Sequence, residues 1–431
     1  MKNIDELENK LLEALNNENF NLSFALYCKL SDLLKNISDQ SISLKQKQWI
    51  RFLLKIMSKS RINCDDTIYT KLKATIIDND IKTQNILLNE YEIYKKQIEL
   101  KSKPQSLQIT LTTKCNARCK MCGNITKPIW EVSEYGIKSI IQILPYLQDV
   151  TWMGGEVFLH NKFKYLVEQS SLYETEQNII TNGIISDMNI IELLVMNNVR
   201  TSVSIHSFNR DIYKYITGKD CLDNIYKFLE NINKLRKKYF CLSLNMVVMK
   251  SNYKELKNLF DLALKYNINE IILLPLHCEV QVFYDNENIF FGDNINFDII
   301  KYVREETQEL ESKLKTIGVK FINQLPVFEY LNKINNNGNI KKDLIPIATL
   351  KCNEISPKQK YKICHYPWTK LFVENDGEIL ISSSCRNMIS YPMGHIDKDS
   401  LLDVWNNDKI KKIRSKIIKD HCSEYCQKTL C

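Results

Sequence analysis

Six short runs rich in β-branched and apolar residues recur along the middle of the chain, at 107–111, 150–153, 178–181, 201–205, 242–248 and 271–274. Helix-length segments such as 136–147 and 222–237 separate them. Strands joined by helices return parallel to the strand before, through right-handed crossovers. The repetition predicts the fold class α/β, a partial (β/α)6 parallel barrel over residues 105–339. In such barrels the chemistry collects at the C-terminal ends of the strands.

Flanking segments read differently. In residues 1–104, Leu11, Leu12 and Leu15, then Leu22, Leu26, Leu30 and Leu33, then Ile50, Leu53, Leu54 and Met57 recur at three-to-four spacing. That period predicts an N-terminal all-α domain. Its two cysteines, Cys28 and Cys64, read as small buried hydrophobes. Residues 340–431 read as a small C-terminal α+β domain. There, strand-like 371–374 and 379–382 flank an Asn375-Asp376-Gly377 turn, and a basic helix spans 403–418. So thin an apolar content calls for a staple.

Only 11 glycines and 9 prolines in 431 residues argue for long elements rather than a turn-dense β fold. A net charge of +8, from 59 basic and 51 acidic residues with signs interspersed, gives no reason to expect nucleic-acid binding. The basic cluster Lys409, Lys411, Lys412, Arg414, Lys416 and Lys419 reads as a solvated helix face. Apolar runs such as 271–276 fall far short of the ~20 residues that span a bilayer, so no membrane association is expected. The N-terminus alternates charges and has no apolar core, so it is not read as a signal peptide, and the expected location is the cytoplasm.

Fourteen cysteines are too many for such a chain unless they do something. Disulfides are rare in a reducing compartment, and clustered thiols there usually mean metal. Three, Cys115, Cys119 and Cys122, form a CxxxCxxC in the loop directly after the first barrel strand. They are one short of a closed four-cysteine site, and no histidine closer than His160 offers zinc a fourth ligand. Three ligands on a cubane leave one iron open to another molecule.

That motif, at the end of β1 of a six-unit barrel, resembles the radical S-adenosylmethionine (SAM) superfamily. The resemblance extends over roughly residues 105–431. It implies a 4Fe–4S cluster on Cys115, Cys119 and Cys122 that binds SAM at its open iron, with Met121 contacting adenine through its backbone. Gly154-Gly155-Glu156 resembles the family's GGEP segment, which bonds the SAM amino group, with Val157 in place of the proline. Asn182, in a Thr-Asn-Gly turn, and Ser204 and His206, at the end of the fourth strand, resemble further cofactor contacts. His206 stands where many relatives carry aspartate.

The C-terminal cysteines follow a similar logic. Cys364-His-Tyr-Pro-Trp, Asp376-Gly377, Cys385, Gly394-His-Ile, Val404-Trp-Asn, Arg414 and Cys422-Ser-Glu-Tyr-Cys426 occur in an order similar to SPASM/twitch extensions. The resemblance implies a second, auxiliary 4Fe–4S cluster on Cys364, Cys385, Cys422 and Cys426. Four cysteines also suit zinc. Cys352 and Cys431 are unassigned, and Cys431 could replace Cys422 or Cys426.

Cys278, at the end of the sixth strand, is a candidate hydrogen-atom donor, or else a small buried residue. Cys221 and Cys241 read as core. The resemblance implies reductive cleavage of SAM to a 5′-deoxyadenosyl radical that takes a substrate hydrogen, with flavodoxin or ferredoxin as electron donor. The leading expectation is a peptide or protein substrate recruited by the helical domain. The alternatives are a small-molecule (sugar or metabolite) radical dehydrogenase or mutase, and a non-catalytic iron–sulfur or zinc scaffold.

Overall fold

The computed structural model describes residues 2–34, 40–76, 79–277, 280–291, 295–326, 364–381 and 392–420. Five helices come first: α1 (Lys2–Asn16), α2 (Phe20–Leu34), α3 (Gln40–Lys59), α4 (Asp66–Lys73) and α5 (Ile81–Tyr94). Strands and helices then alternate as β1 (Ser106–Thr112), α6 (Glu134–Ile143), β2 (Asp149–Gly154), α7 (Phe163–Leu172), β3 (Glu176–Thr181), α8 (Met188–Met196) and β4 (Arg200–Ser204). Two helices, α9 (Arg210–Thr217) and α10 (Leu222–Leu235), precede β5 (Leu242–Val248), α11 (Asn258–Lys265) and β6 (Glu270–Pro275). After these come α12 (Gln281–Glu287), α13 (Phe297–Thr316) and β7 (Lys320–Asn323). The C-terminal segment adds α14 (Tyr366–Thr369), β8 (Lys370–Val373), β9 (Glu378–Leu380), β10 (Gly394–His395), α15 (Leu401–Val404) and α16 (Asp408–Asp420).

All six expected strands form, in the expected parallel order, and β7 extends them by one. The strands β2, β3 and β4 alternate buried with partly exposed residues, the buried face packing under the helices. In β5, six of seven residues are buried. One feature exceeds the expectation. The C-terminal strands continue the same sheet, β8 pairing parallel to β1 with Ser106 opposite Lys370. The sheet runs β10-β9-β8-β1-β2-β3-β4-β5-β6-β7. The Asn-Asp-Gly turn forms where expected, with Gly377 at φ 85°.

The N-terminal helices bury their own cluster, including Leu11, Leu15, Leu30, Leu53, Leu54 and Met57, separate from the barrel core. Only half of the α2 leucine stripe packs: Leu30 is buried and Leu26 lies against the cluster. Leu22 and Leu33 are exposed, and the buried face is Phe20, Ser23, Tyr27, Leu30, Ser31 and Leu34. Both faces of α2 carry apolar residues, so periodicity alone could not choose. Leu12 is exposed and Cys28 half-buried, whereas Cys64 is buried. Cys221 and Cys241 are likewise only half-buried.

Buried polar side chains join the segments. On α5, Asn89 donates to Trp368 O (2.6 Å) and Ser102 Oγ (2.8 Å). Glu92 accepts from Lys101 N (2.6 Å). The indoles of Trp368 and Trp405 donate to Gln97 O and Ser102 O, each at 2.8 Å.

Arg414 corrects the reading of the basic helix. That segment breaks at Trp405–Asn407 into α15 and α16, and Arg414 is completely buried rather than solvated. Its guanidinium lies 4.7 Å from the Trp405 ring and donates to the carbonyls of Pro367, Ile98 and Trp405 (2.9 Å each) and to Asn406 Oδ1 (3.0 Å). A charge can be buried at that depth because four of the five guanidinium N–H donors meet acceptors.

Candidate active site

The CxxxCxxC loop leaves β1 and is held on both sides. Arg118 N and Lys120 N donate to Thr217 O (3.0 Å) and Ile216 O (2.9 Å), the open carbonyls at the end of α9. Gly218 caps that helix at φ 76°, and a Cβ there would lie 3.0 Å from the Arg118 carbonyl. On the other flank, Thr113 N donates to Trp130 O (2.9 Å). The C-terminal segment holds this flank in turn. Asp397 accepts from the Trp130 indole (3.0 Å) and Ser133 N (2.9 Å), and Asn375 donates to Asn124 (2.6 Å). Met121 anchors the loop's far end on an apolar cluster of Ile216, Met249, Leu276 and Phe283.

The two glycines after β2 serve a close approach, but the approach is to backbone. Gly155 N donates to Thr112 O and Glu156 N to Lys114 O, both at 2.7 Å. A Cβ on Gly154 would stand 2.5 Å from Thr112 O, and one on Gly155 2.4 Å from Lys114 O. Gly-Gly therefore clamps the second loop onto the root of the cysteine loop.

Glu156 is fully buried and lies behind the cavity wall. Its carboxylate accepts from Thr181 Oγ1 (2.9 and 3.0 Å) and Asn182 N (2.9 Å), and burial pushes it up to about 7. It braces the turn after β3. Asn182 reaches from that turn to the cysteines, its Nδ2 donating to Asn116 Oδ1 (2.7 Å) and standing 3.7 Å from Cys115 Sγ. Ile184 N donates to the Asn182 Oδ1 (2.9 Å), which sets which end of the amide faces the thiol.

Cys115, Cys119, Met121, Cys122, Gly154, Gly155, Asn182, Ser204 and His206 all line one cavity of about 510 Å³. Val247 N donates to His206 Nδ1 (3.3 Å), which leaves the ring proton on Nε2. Burial pushes this imidazole down to about 4, so it is neutral. Arg118, Lys127, Tyr213 and Thr217 also line the cavity and were not singled out from sequence. Arg118 lay in plain view inside the cysteine motif, whereas Tyr213 and Thr217 arrive only because α9 folds against the loop.

The donor set suits a cationic cluster. Burial, reinforced by the neighbouring thiols, pushes Cys119 up to about 12 and raises Cys115. Thiolates at Cys115 and Cys119, disfavoured by burial and by the charge of neighbouring thiolates, need positive charge beside them. The Asn182 amide and Ala117 N, 3.4 Å from Cys115 Sγ, supply N–H donors on the sulfur. Among the described residues no three His, Cys, Asp or Glu side chains form a site for a single ion. A cubane spreads its three thiolates over three irons. Cys364 is half-buried beside α14. Cys278, Cys352, Cys385, Cys422, Cys426 and Cys431 lie outside the described residues.

Comparison with known proteins decides the family. Residues 109–263 match the radical SAM superfamily model, and residues 364–431 match SPASM, an iron–sulfur cluster-binding domain. The chain belongs to the radical SAM superfamily. This radical SAM chain is 24% identical over 269 residues to a probable GTP 3′,8-cyclase of Sulfurisphaera tokodaii, spanning 61% of the chain and 81% of that relative. It is 29% identical to the GTP 3′,8-cyclase of a Synechocystis species, spanning 41% of the chain and 57% of that relative. Its fold is similar to that of Streptococcus suis SuiB. With SuiB bound to SAM the TM-score is 0.56 at 16% identity, covering 87% of this chain and 84% of that one. With SuiB bound to its precursor peptide SuiA it is 0.57 at 17% identity, covering 91% and 84%.

The protein is therefore a radical SAM iron–sulfur enzyme whose cofactors are a 4Fe–4S cluster, SAM and auxiliary iron–sulfur in the SPASM domain. When bound, cluster and SAM supply the electron and the carbon radical. The chain's own part is to hold the cysteine loop between α9, β2 and β3 and to wall the cavity. No described helix is long and apolar enough to cross a membrane.

Proposed function

We propose that this radical SAM enzyme modifies a peptide or protein. Cys115, Cys119 and Cys122 hold the SAM-binding cluster, and Cys364, Cys385, Cys422 and Cys426 hold an auxiliary one. Gly154, Gly155, Asn182, Ser204, His206 and the Met121 backbone form the SAM pocket, with Glu156 bracing it from behind. The helical residues 1–104 recruit the substrate, a flavodoxin or ferredoxin supplies the electron, and the reaction runs in the cytoplasm. Cys278 is the candidate hydrogen-atom donor.

The observation that carries the peptide reading is the reach of the fold likeness. Coverage of 91% by the peptide-bound SuiB structure leaves about 39 of 431 residues unmatched, fewer than the 104 that precede the barrel. Helices outside the barrel thus have counterparts in a peptide-binding relative. A second reading, a small-molecule enzyme, is favoured by the relatives named GTP 3′,8-cyclase, whose similarity reaches 61% of the chain.

The test is anaerobic reconstitution followed by mass spectrometry of a short peptide encoded beside the gene, with GTP in a parallel reaction. A mass change in the peptide that depends on SAM supports the proposal. Conversion of GTP with an unchanged peptide overturns it in favour of the second reading. Replacing Cys115, Cys119 and Cys122 by alanine should abolish SAM cleavage and leave the auxiliary iron. Cleavage by that variant would overturn the ligand assignment.

A further inference from the structure

We propose that the cavity mouth is an anion-binding subsite built on Arg118, which takes a carboxylate or phosphate of the substrate. This deepens the reading above and rests on it only for the source of the anion. Lys114, Arg118 and Lys127 line the same cavity as the three cysteines, and none of its described lining residues is Asp or Glu. The cofactors do not compensate them. An oxidised cubane on three thiolates carries one net negative charge, and SAM, with sulfonium, ammonium and carboxylate, one net positive charge.

The neighbouring cations are engaged elsewhere. Lys114 pairs with Glu131, and Lys120 lies 3.8 Å from the Tyr215 ring centroid. The Arg118 guanidinium makes no hydrogen bond or ion pair among the described residues. Its backbone is nonetheless fixed, by the bond from its N–H to Thr217 O and by Gly218 packed against its Cβ. An exposed planar fork leaving a fixed point on the rim is suited to bidentate recognition of a carboxylate or phosphate. Holding the root still lowers the ordering cost of binding. Because these side chains line the concavity that holds the cysteines, they face what enters it rather than a protein docking outside.

The test uses reconstituted holoenzyme with SAM, kept anaerobic, and calorimetric titration with two anionic probes, hexaglutamate and GTP. Hexaglutamine and guanosine are their uncharged counterparts. At least one anion should bind about tenfold or more tighter than its counterpart. Arg118→Gln should lose about tenfold of that affinity, and Arg118→Lys should retain most of it. Should Arg118→Gln fail to hold iron, the Lys114→Gln/Lys127→Gln double variant, which strips charge at the same cavity outside the cysteine triad, carries the test with a smaller expected loss of about threefold, because Lys114 also pairs with Glu131. Preference for hexaglutamate agrees with a peptide substrate. Binding of GTP alone leaves the subsite standing and removes the peptide reading. Equal affinity for charged and uncharged probes, or an iron-loaded variant that binds as wild type does, overturns the subsite. So does normal probe binding by Arg118→Gln together with SAM cleavage that is slowed only when flavodoxin replaces dithionite as reductant, which would make the rim a docking surface for the electron donor.

Discussion

Gly155→Ala is the smallest change that should dismantle the active site. The new Cβ would sit 2.4 Å from Lys114 O, 2.6 Å from Thr113 O and 2.8 Å from Lys114 C. All three are backbone atoms, so no side chain can swing aside. Ordinary contact begins near 3.4 Å, so the Lys114 peptide must retreat by about 1 Å. Cys115 is the next residue and must follow. The move also stretches the 2.7 Å bonds from Glu156 N to Lys114 O and from Gly155 N to Thr112 O. Two such bonds at about 1 kcal/mol each, with 1–3 kcal/mol for the overpacking, put the local cost at about 3–5 kcal/mol. The assay is iron content and the electron paramagnetic resonance signal of the reduced cluster after anaerobic reconstitution, alongside 5′-deoxyadenosine release. The expected result is a folded protein that keeps its auxiliary iron but loses most of the SAM-binding cluster and its cleavage. Full cluster occupancy with wild-type cleavage would refute the argument that this glycine exists to let two loop backbones touch.

Three further outcomes follow from the geometry. Arg414→Met strands four acceptors and a packed indole, so unfolding should become easier by about 3–5 kcal/mol in denaturant titrations; a loss below 1 kcal/mol would show that water reaches the site. Removing the amide at Asn182 with alanine takes an N–H donor from Cys115 and should lower the midpoint potential of the cluster, read by redox titration under paramagnetic resonance; an unchanged midpoint would mean the 3.7 Å contact does not act on the sulfur. His206, depressed by burial from 6.5 to about 4, stays neutral in the folded chain while the unfolded chain takes up a proton first. Its stabilising contribution is thus full above pH 6.5 and declines as pH falls towards 4, by about 1.4 kcal/mol per unit. His206→Asn should flatten the fall in stability between pH 7 and 5.5, and an identical slope in the variant would count against a buried neutral ring.

What could be read from residues alone was whatever local periodicity and close spacing encode. Six strands, their parallel order, the turn at Gly377 and the cysteine loop after β1 are all short-range patterns, and each appears where it was expected. Contacts between distant segments carry no such signature. Nothing near Lys370 announces that β8 pairs with Ser106 and completes the sheet across the chain. Arg414 sits in a lysine-rich helix and looks solvated, yet carbonyls from residues 98, 367 and 405 converge on it only after three separate segments have packed. The same holds inside the site. Gly154-Gly155-Glu156 was legible as a motif, but that the glycines abut the Thr112–Lys114 backbone, and that Glu156 braces the β3 turn, depends on how β1, β2 and β3 lie side by side. The physical reason is range. Side-chain periodicity reports which face of an element is apolar, whereas the partner that face meets is chosen by packing and hydrogen-bond satisfaction across the whole chain.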